Sequence, residues 1–116
     1  MLLGLPVWKQ RVAPVFDTII SVKLFDYLNF EFNYQKEINM KQLNSNEKIE
    51  KLLELNIEIF ICGAISFSVE QQLIASGITV IPFISGDINT VLLAYKNGNI
   101  ENIEFKMPGC KNRNNN

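Results

Sequence analysis

The chain has 116 residues, 47% of them hydrophobic and 20% charged, which is enough for one compact core and too short for two. Eleven Lys and Arg against 12 Asp and Glu leave a formal net charge of -1, so no broad basic field exists for phosphate neutralisation and nucleic-acid binding is not expected. The absence of histidine removes Ser-His-Asp and Cys-His arrangements, HExxH zinc chemistry and the usual general base near neutral pH, and with them most hydrolytic catalysis.

The apolar opening Met1–Trp8 is too short to span a bilayer, and Lys9 and Arg11 follow it rather than precede it, so it reads as neither a membrane span nor a signal peptide. A soluble cytoplasmic protein is expected. Leu2–Trp8 is apolar on both alternating faces, as suits a strand buried on both sides of a sheet. Lys9–Asp17, with Pro14 and Asp17, reads as a loop. Ser21–Tyr27 is rich in strand formers. In Phe30–Ile38, Phe30, Phe32, Tyr34 and Ile38 share one face, interrupted by Lys36, and polar residues share the other, which predicts a half-buried strand. Leu28-Asn29 would make the hairpin between these two strands, without the usual glycine.

From Ser45 the period changes. Ile49, Leu52, Leu53 and Leu55 form a helical stripe that Ser45 can cap and Asn56 can end. Ile57–Cys62 is a strand, residues 67–76 a second helix stopped by Gly77, and Ile78–Ile84 a strand broken near its end by Pro82. Asp87 caps a third helix carrying Val91, Leu92 and Tyr95, stopped by Gly98. Ile103, Phe105 and Met107 then alternate briefly before Pro108-Gly109-Cys110, and the Asn-rich tail 111–116 is expected to be disordered.

LLELNIEIFICGAIS (52–66) and LIASGITVIPFISGD (73–87) align without gaps about 21 residues apart. They read as two successive helix–strand units, whose crossovers imply parallel strands. The predicted order is strand-strand-strand-helix-strand-helix-strand-helix, a single α/β domain over residues 1–110. Ligands of open α/β sheets sit outside the carboxyl ends of the strands. The loops there are Lys9–Asp17, Gly63–Ser66 and Ser85–Asp87, and two of them lead into helix N-termini that attract anions. The candidate pocket therefore comprises Arg11, Asp17, Gly63, Ala64, Ser66, Ser85, Gly86 and Asp87, with Cys62 at its floor.

Each residue also has a plainer reading. Ser66 and Asp87 are helix caps, Gly63 and Gly86 relieve crowding, Asp17 can organise the turn after Pro14, and Cys62 at the end of an apolar strand can be a small core residue. The two thiols, Cys62 and Cys110, cannot complete a four-cysteine zinc site or hold an ordinary iron–sulfur cluster from one chain. A disulfide is not expected in a reducing compartment.

PVW and RVAPVFD near the start, then ICGAIS, GITVIPFISGD, an AYKNG helix end and MPGC, in that order, resemble the dinitrogenase iron–molybdenum cofactor biosynthesis family of NifX and NafY type. The resemblance spans roughly residues 1–110, with 18–55 similar only in pattern. It implies a ribonuclease H-like fold with a five-stranded mixed sheet of order 3-2-1-4-5, strand 2 antiparallel. It also implies a non-catalytic carrier or accessory protein for an anionic metal–sulfur cluster, of iron–molybdenum or iron–sulfur type, or its precursor. Cluster donor or acceptor proteins would be its partners, with neither nucleic acid nor membrane and with a homodimer left open. Cys62 and Cys110 are the thiolate candidates for metal. Many nitrogenase-associated members have a histidine where this chain has Val15, so imidazole ligation is excluded here. Two rivals stand beside this reading. One is a small-anion or protein-interaction domain without metal. The other is a ribonuclease H-like nuclease, which would need carboxylates on a first strand that has none.

Overall fold

Pro6 lies inside the first strand and decides how the sheet is built. In the computed structural model, which describes residues 1–100 and Phe105, the chain runs β1 (Leu2–Trp8), β2 (Arg11–Val12), a 3-10 turn (Phe16–Thr18), β3 (Ser21–Leu28) and β4 (Glu31–Asn39). It continues through α1 (Ser45–Glu54), β5 (Ile59–Ile61), α2 (Phe67–Ala75), β6 (Thr79–Ile81) and α3 (Ile88–Lys96). The main sheet has the order β4-β3-β1-β5-β6. Within that order only β3 is antiparallel to β1; β5 and β6 follow it in parallel, and β4 is antiparallel to β3. This is the expected 3-2-1-4-5 arrangement, with the two-residue β2 added.

On its β3 side, β1 is paired from Leu2↔Asp26 to Pro6↔Val22. On its β5 side the ladder covers only Leu3↔Ile59 and Gly4↔Phe60. Proline has no N–H to donate, so a parallel ladder loses its footing there. β2 takes over instead, pairing Val7↔Val12 and Trp8↔Arg11, while the Ala13 amide donates to the Pro6 carbonyl over 2.9 Å. The Lys9–Asp17 segment expected as a loop is thus partly a strand and a 3-10 turn, inserted beside the carboxyl end of β1.

Two hairpins close without glycine. Lys9 (φ 50) and Gln10 (φ 64) turn β1 into β2, and Asn29 (φ 54) with Phe30 (φ 62) turn β3 into β4. Positive φ at both central residues is the type I′ geometry, whose twist matches the flanking strands. The turn is therefore Asn29-Phe30, one residue later than expected. In β4 a register shift leaves Gln35 outside the ladder, between Leu24↔Lys36 and Phe25↔Tyr34. A bulge of one residue reverses the alternation. Phe32 consequently packs with the core on one side of the sheet and Ile38 with the core on the other, rather than sharing a face.

The helices begin where side chains satisfy their first amides. α1 is capped by Asn44, not Ser45, in a reciprocal box: the Asn44 side chain accepts from the Glu47 amide and the Glu47 carboxylate accepts from the Asn44 amide. Ser66 caps α2 and Asp87 caps α3, as expected. α1 and α2 bury Ile49, Leu52 and Leu73 on one face of the sheet with Val22, Leu24 and Phe60. On the other face, among the described residues, α3 buries Ile88, Val91 and Leu92 with Leu3, Leu5 and Ile61, and Phe105 packs against the same cluster. β5 and β6 are shorter than the apolar runs 57–62 and 78–84; Pro82 and Phe83 (φ 61) end β6. Of the 103–107 alternation only Phe105 lies within the described residues; the 111–116 tail lies outside them, as does Cys110.

Candidate functional site

The inserted segment 9–17 is stitched to both neighbouring crossover loops. Val15 bridges Ala64 in parallel, with the Ala64 amide donating to the Pro14 carbonyl and the Phe16 amide to the Ala64 carbonyl, each over 2.8 Å. Arg11 bridges Asp87 antiparallel, with the Val12 amide donating to Gly86 over 3.0 Å and the Ile88 amide to Gln10 over 2.9 Å. Gly63 is required by this contact. A Cβ there would stand 2.5 Å from the Ala13 carbonyl oxygen and 2.6 Å from that of Pro14, closer than any side chain tolerates.

The structure therefore brings Arg11, Gly63, Ala64, Gly86 and Asp87 together at the carboxyl ends of β1, β5 and β6, but it uses several of their backbone groups internally. The Ser85 amide donates to Phe105 over 2.8 Å. The Ser66 hydroxyl accepts from the Val69 amide, and the Asp87 carboxylate accepts from Asn89 and Thr90. Arg11 is exposed. Asp17 lies apart, facing α1: its carboxylate accepts from the Ser45 hydroxyl over 3.1 Å, and its carbonyl accepts from the Lys48 ammonium. Burial pushes Lys48 below the ordinary lysine value of 10.5, against a smaller upward pull from Asp17.

Cys62 has no solvent exposure and sits among Ala13, Phe16, Phe60 and Ile65 in the core. Its backbone continues the sheet, the amide donating to Ile81 and the carbonyl accepting from Ile84. Among the described residues no three carboxylate, thiol or imidazole groups converge as a metal site.

Open space lies beside this seam, around Trp8. One cavity of about 240 Å³ is lined by Val7, Trp8, Ala13, Pro14, Thr18 and Ile20. A second of about 290 Å³ shares Val7, Trp8 and Ile20 and adds Lys9, Gln10, Ser21, Lys23 and Glu37. Trp8 is 49% exposed and Ile20 is 44% exposed, and the Lys9 ammonium stands 4.5 Å from the Trp8 ring centre. The sequence reading missed Trp8, Ile20 and Lys23 as site residues. The one signal for them was that the chain's single tryptophan ends the central strand, where α/β sheets place their ligands.

No helix among the described residues is long and apolar enough to cross a membrane. No family model matches the chain, and no curated protein matches it in sequence. Solved structures do share the fold. The crystal structure of PH0822 superposes with a TM-score of 0.81 at 14% identity, over 94% of this chain and 96% of that one. A Methanocaldococcus jannaschii protein provisionally named a dinitrogenase gives 0.67 at 11% identity, over 85% and 90%. The apo form of the orange protein from Desulfovibrio gigas gives 0.67 at 15% identity, over 97% and 96%. At these identities the likeness establishes the fold alone, over 85% or more of each protein.

Proposed function

We propose that this chain is a non-catalytic binding or carrier protein for an anionic metal–sulfur cluster, of iron–molybdenum or iron–sulfur type, or for a precursor of one. The observation that carries this reading is the pair of cavities around Trp8. The first is mainly apolar (Val7, Trp8, Ala13, Pro14, Ile20), and the second adds Lys9 and Lys23, with Glu37 beside them, to Val7, Trp8 and Ile20; Arg11 begins β2 directly after the Lys9-Gln10 turn. A sulfide-surfaced cluster is a soft, polarisable anion, for which apolar walls and peripheral cations are suitable partners. The fold shared with the orange protein and with the provisional dinitrogenase supports the same reading. Arg11 supplies fixed positive charge, and the 63–66 and 85–87 loops hold the 9–17 segment in position. Cys110 is the thiolate candidate; Cys62 would have to be uncovered first. The cluster is cargo, passed between donor and acceptor proteins.

Anaerobic reconstitution with iron, molybdate and sulfide tests this. The expected product is coloured, retains metal through gel filtration, and quenches the emission of the chain's one tryptophan. Arg11→Ala lowers the retained metal several-fold without lowering the melting temperature. A colourless, metal-free product with unchanged Trp8 emission overturns the reading.

The complete burial of Cys62 favours the second reading, a domain that binds a small anion or a protein without metal. In that case inorganic phosphate or an acidic peptide alters Trp8 emission while no metal is retained.

A further inference from the structure

The two faces of the sheet are covered unequally. α1 and α2 lie on one face and, among the described residues, α3 is the helix on the other, where it buries Phe25 but leaves Tyr34 of β4 and its own Leu93 more than half exposed. The β3–β4 half of that face is aromatic. Phe25 makes edge contacts with Phe32 and Tyr34, Tyr27 stacks on Phe32 at 4.5 Å, and Tyr95 of α3 closes the row from the side. A groove of about 390 Å³ runs between this row and α3, with Phe25, Phe32 and Leu92 inside it and Leu93, 56% exposed, on its lip.

The groove carries opposite charges on its two walls. Glu31 of β4 stands on one side and Lys96 of α3 on the other. Neither makes an ion pair with any described residue. A two-fold contact places a patch against its own copy and exchanges the walls, so that Glu31 of each protomer faces Lys96 of the other. A patch with an apolar centre and separated, opposite charges is self-complementary in this sense. The edge of β4 is less suited to pairing, because the Gln35 bulge and Lys36 interrupt it.

We infer that the aromatic groove between α3 and the β3–β4 hairpin is a homodimer interface, closed by a second copy of this chain through reciprocal Glu31–Lys96 pairs around Leu93. This inference is independent of the cargo and of the Trp8 cavities.

Sedimentation equilibrium on the full chain is the test. Wild type shifts from monomer to dimer mass across the micromolar range. Leu93→Glu, at an exposed position, leaves a folded monomer by circular dichroism. Glu31→Lys and Lys96→Glu each weaken association by about tenfold, and the double charge reversal restores it to within about threefold of wild type. A wild type that stays monomeric at hundreds of micromolar overturns the inference, as does a dimer indifferent to all four variants. Amide protection along α3 and β4 that persists in the monomer and vanishes on deleting residues 106–116 overturns it too, because the groove then belongs to the chain's own C-terminal segment.

Discussion

Lys48 of α1 donates its ammonium to the main-chain carbonyl of Asp17 at 2.5 Å, with only 3% of the lysine exposed. This contact ties the end of the inserted 9–17 segment to a helix on the opposite side of the connection. Burial holds the Lys48 proton less tightly in the folded chain than in the unfolded one, whose value is the ordinary 10.5. Where the unfolded state binds more protons, stability rises with pH.

The stability of wild type relative to Lys48→Met should therefore increase as pH climbs from the depressed folded value of Lys48 towards 10.5, and be flat below that window. Urea denaturation of both proteins at a series of alkaline pH values measures it. A difference that stays constant, or moves in favour of the variant, contradicts the assignment.

Gly63→Ala should destabilise the fold by about 3 kcal/mol, since the added methyl meets two backbone carbonyls rather than a side chain that can swing away. Chemical denaturation gives the number. A loss below about 0.5 kcal/mol would mean that the 13–14 segment moves aside freely.

Phe30→Gly should raise stability by about 1 kcal/mol. Phe30 is 75% exposed and holds φ 62, so its ring gains little from packing while its backbone is strained. Asn29 followed by glycine is the favoured pair for this turn. A loss of stability would show that the exposed ring has a partner the turn geometry does not reveal.

In a Cys110→Ser background, the Cys62 thiol should react with an aromatic disulfide reagent only as fast as the chain opens, because it has no exposure in the fold. Cys62→Ala should keep the fold at a cost of about 1 kcal/mol. Rapid, stoichiometric labelling of the native protein would show that the core around Phe16 and Ile65 opens readily.

The order of elements along the chain and the two helix–strand units were legible because they rest on periodicity and chain length, which act locally; the spatial strand order came with the family resemblance. What was not legible depended on partners distant in sequence. Ser45 and Asn44 are equally good caps on paper; the choice falls to Asn44 because Glu47 stands three residues on to complete the box, leaving Ser45 to bond Asp17. The β4 bulge at Gln35 could not be read from an alternation that seemed sound across it, since only the register with β3 reveals the extra residue. The loop amides at 64 and 85 looked available as anion donors because nothing in the local sequence announces that Pro14 and Phe105 accept from them. Pro6 was the overlooked clue. A proline in a central strand forces the adjacent ladder to end, and the space beside it must be filled by something.

What fills it links three parts of the chain into one mechanical element. The 9–17 segment shares main-chain hydrogen bonds with Pro6, Ala64, Gly86 and Ile88, so it cannot lift from one neighbour without straining its hold on the others. Opening of the seam above Cys62 should then be a single cooperative event, with the amides of Val12, Ala13, Phe16, Ala64 and Ile88 expected to share one opening free energy in hydrogen exchange. Under the carrier reading proposed above, a cargo that is to reach the thiol beneath would have to supply that whole free energy at once, so the seam would act as a threshold rather than a graded gate.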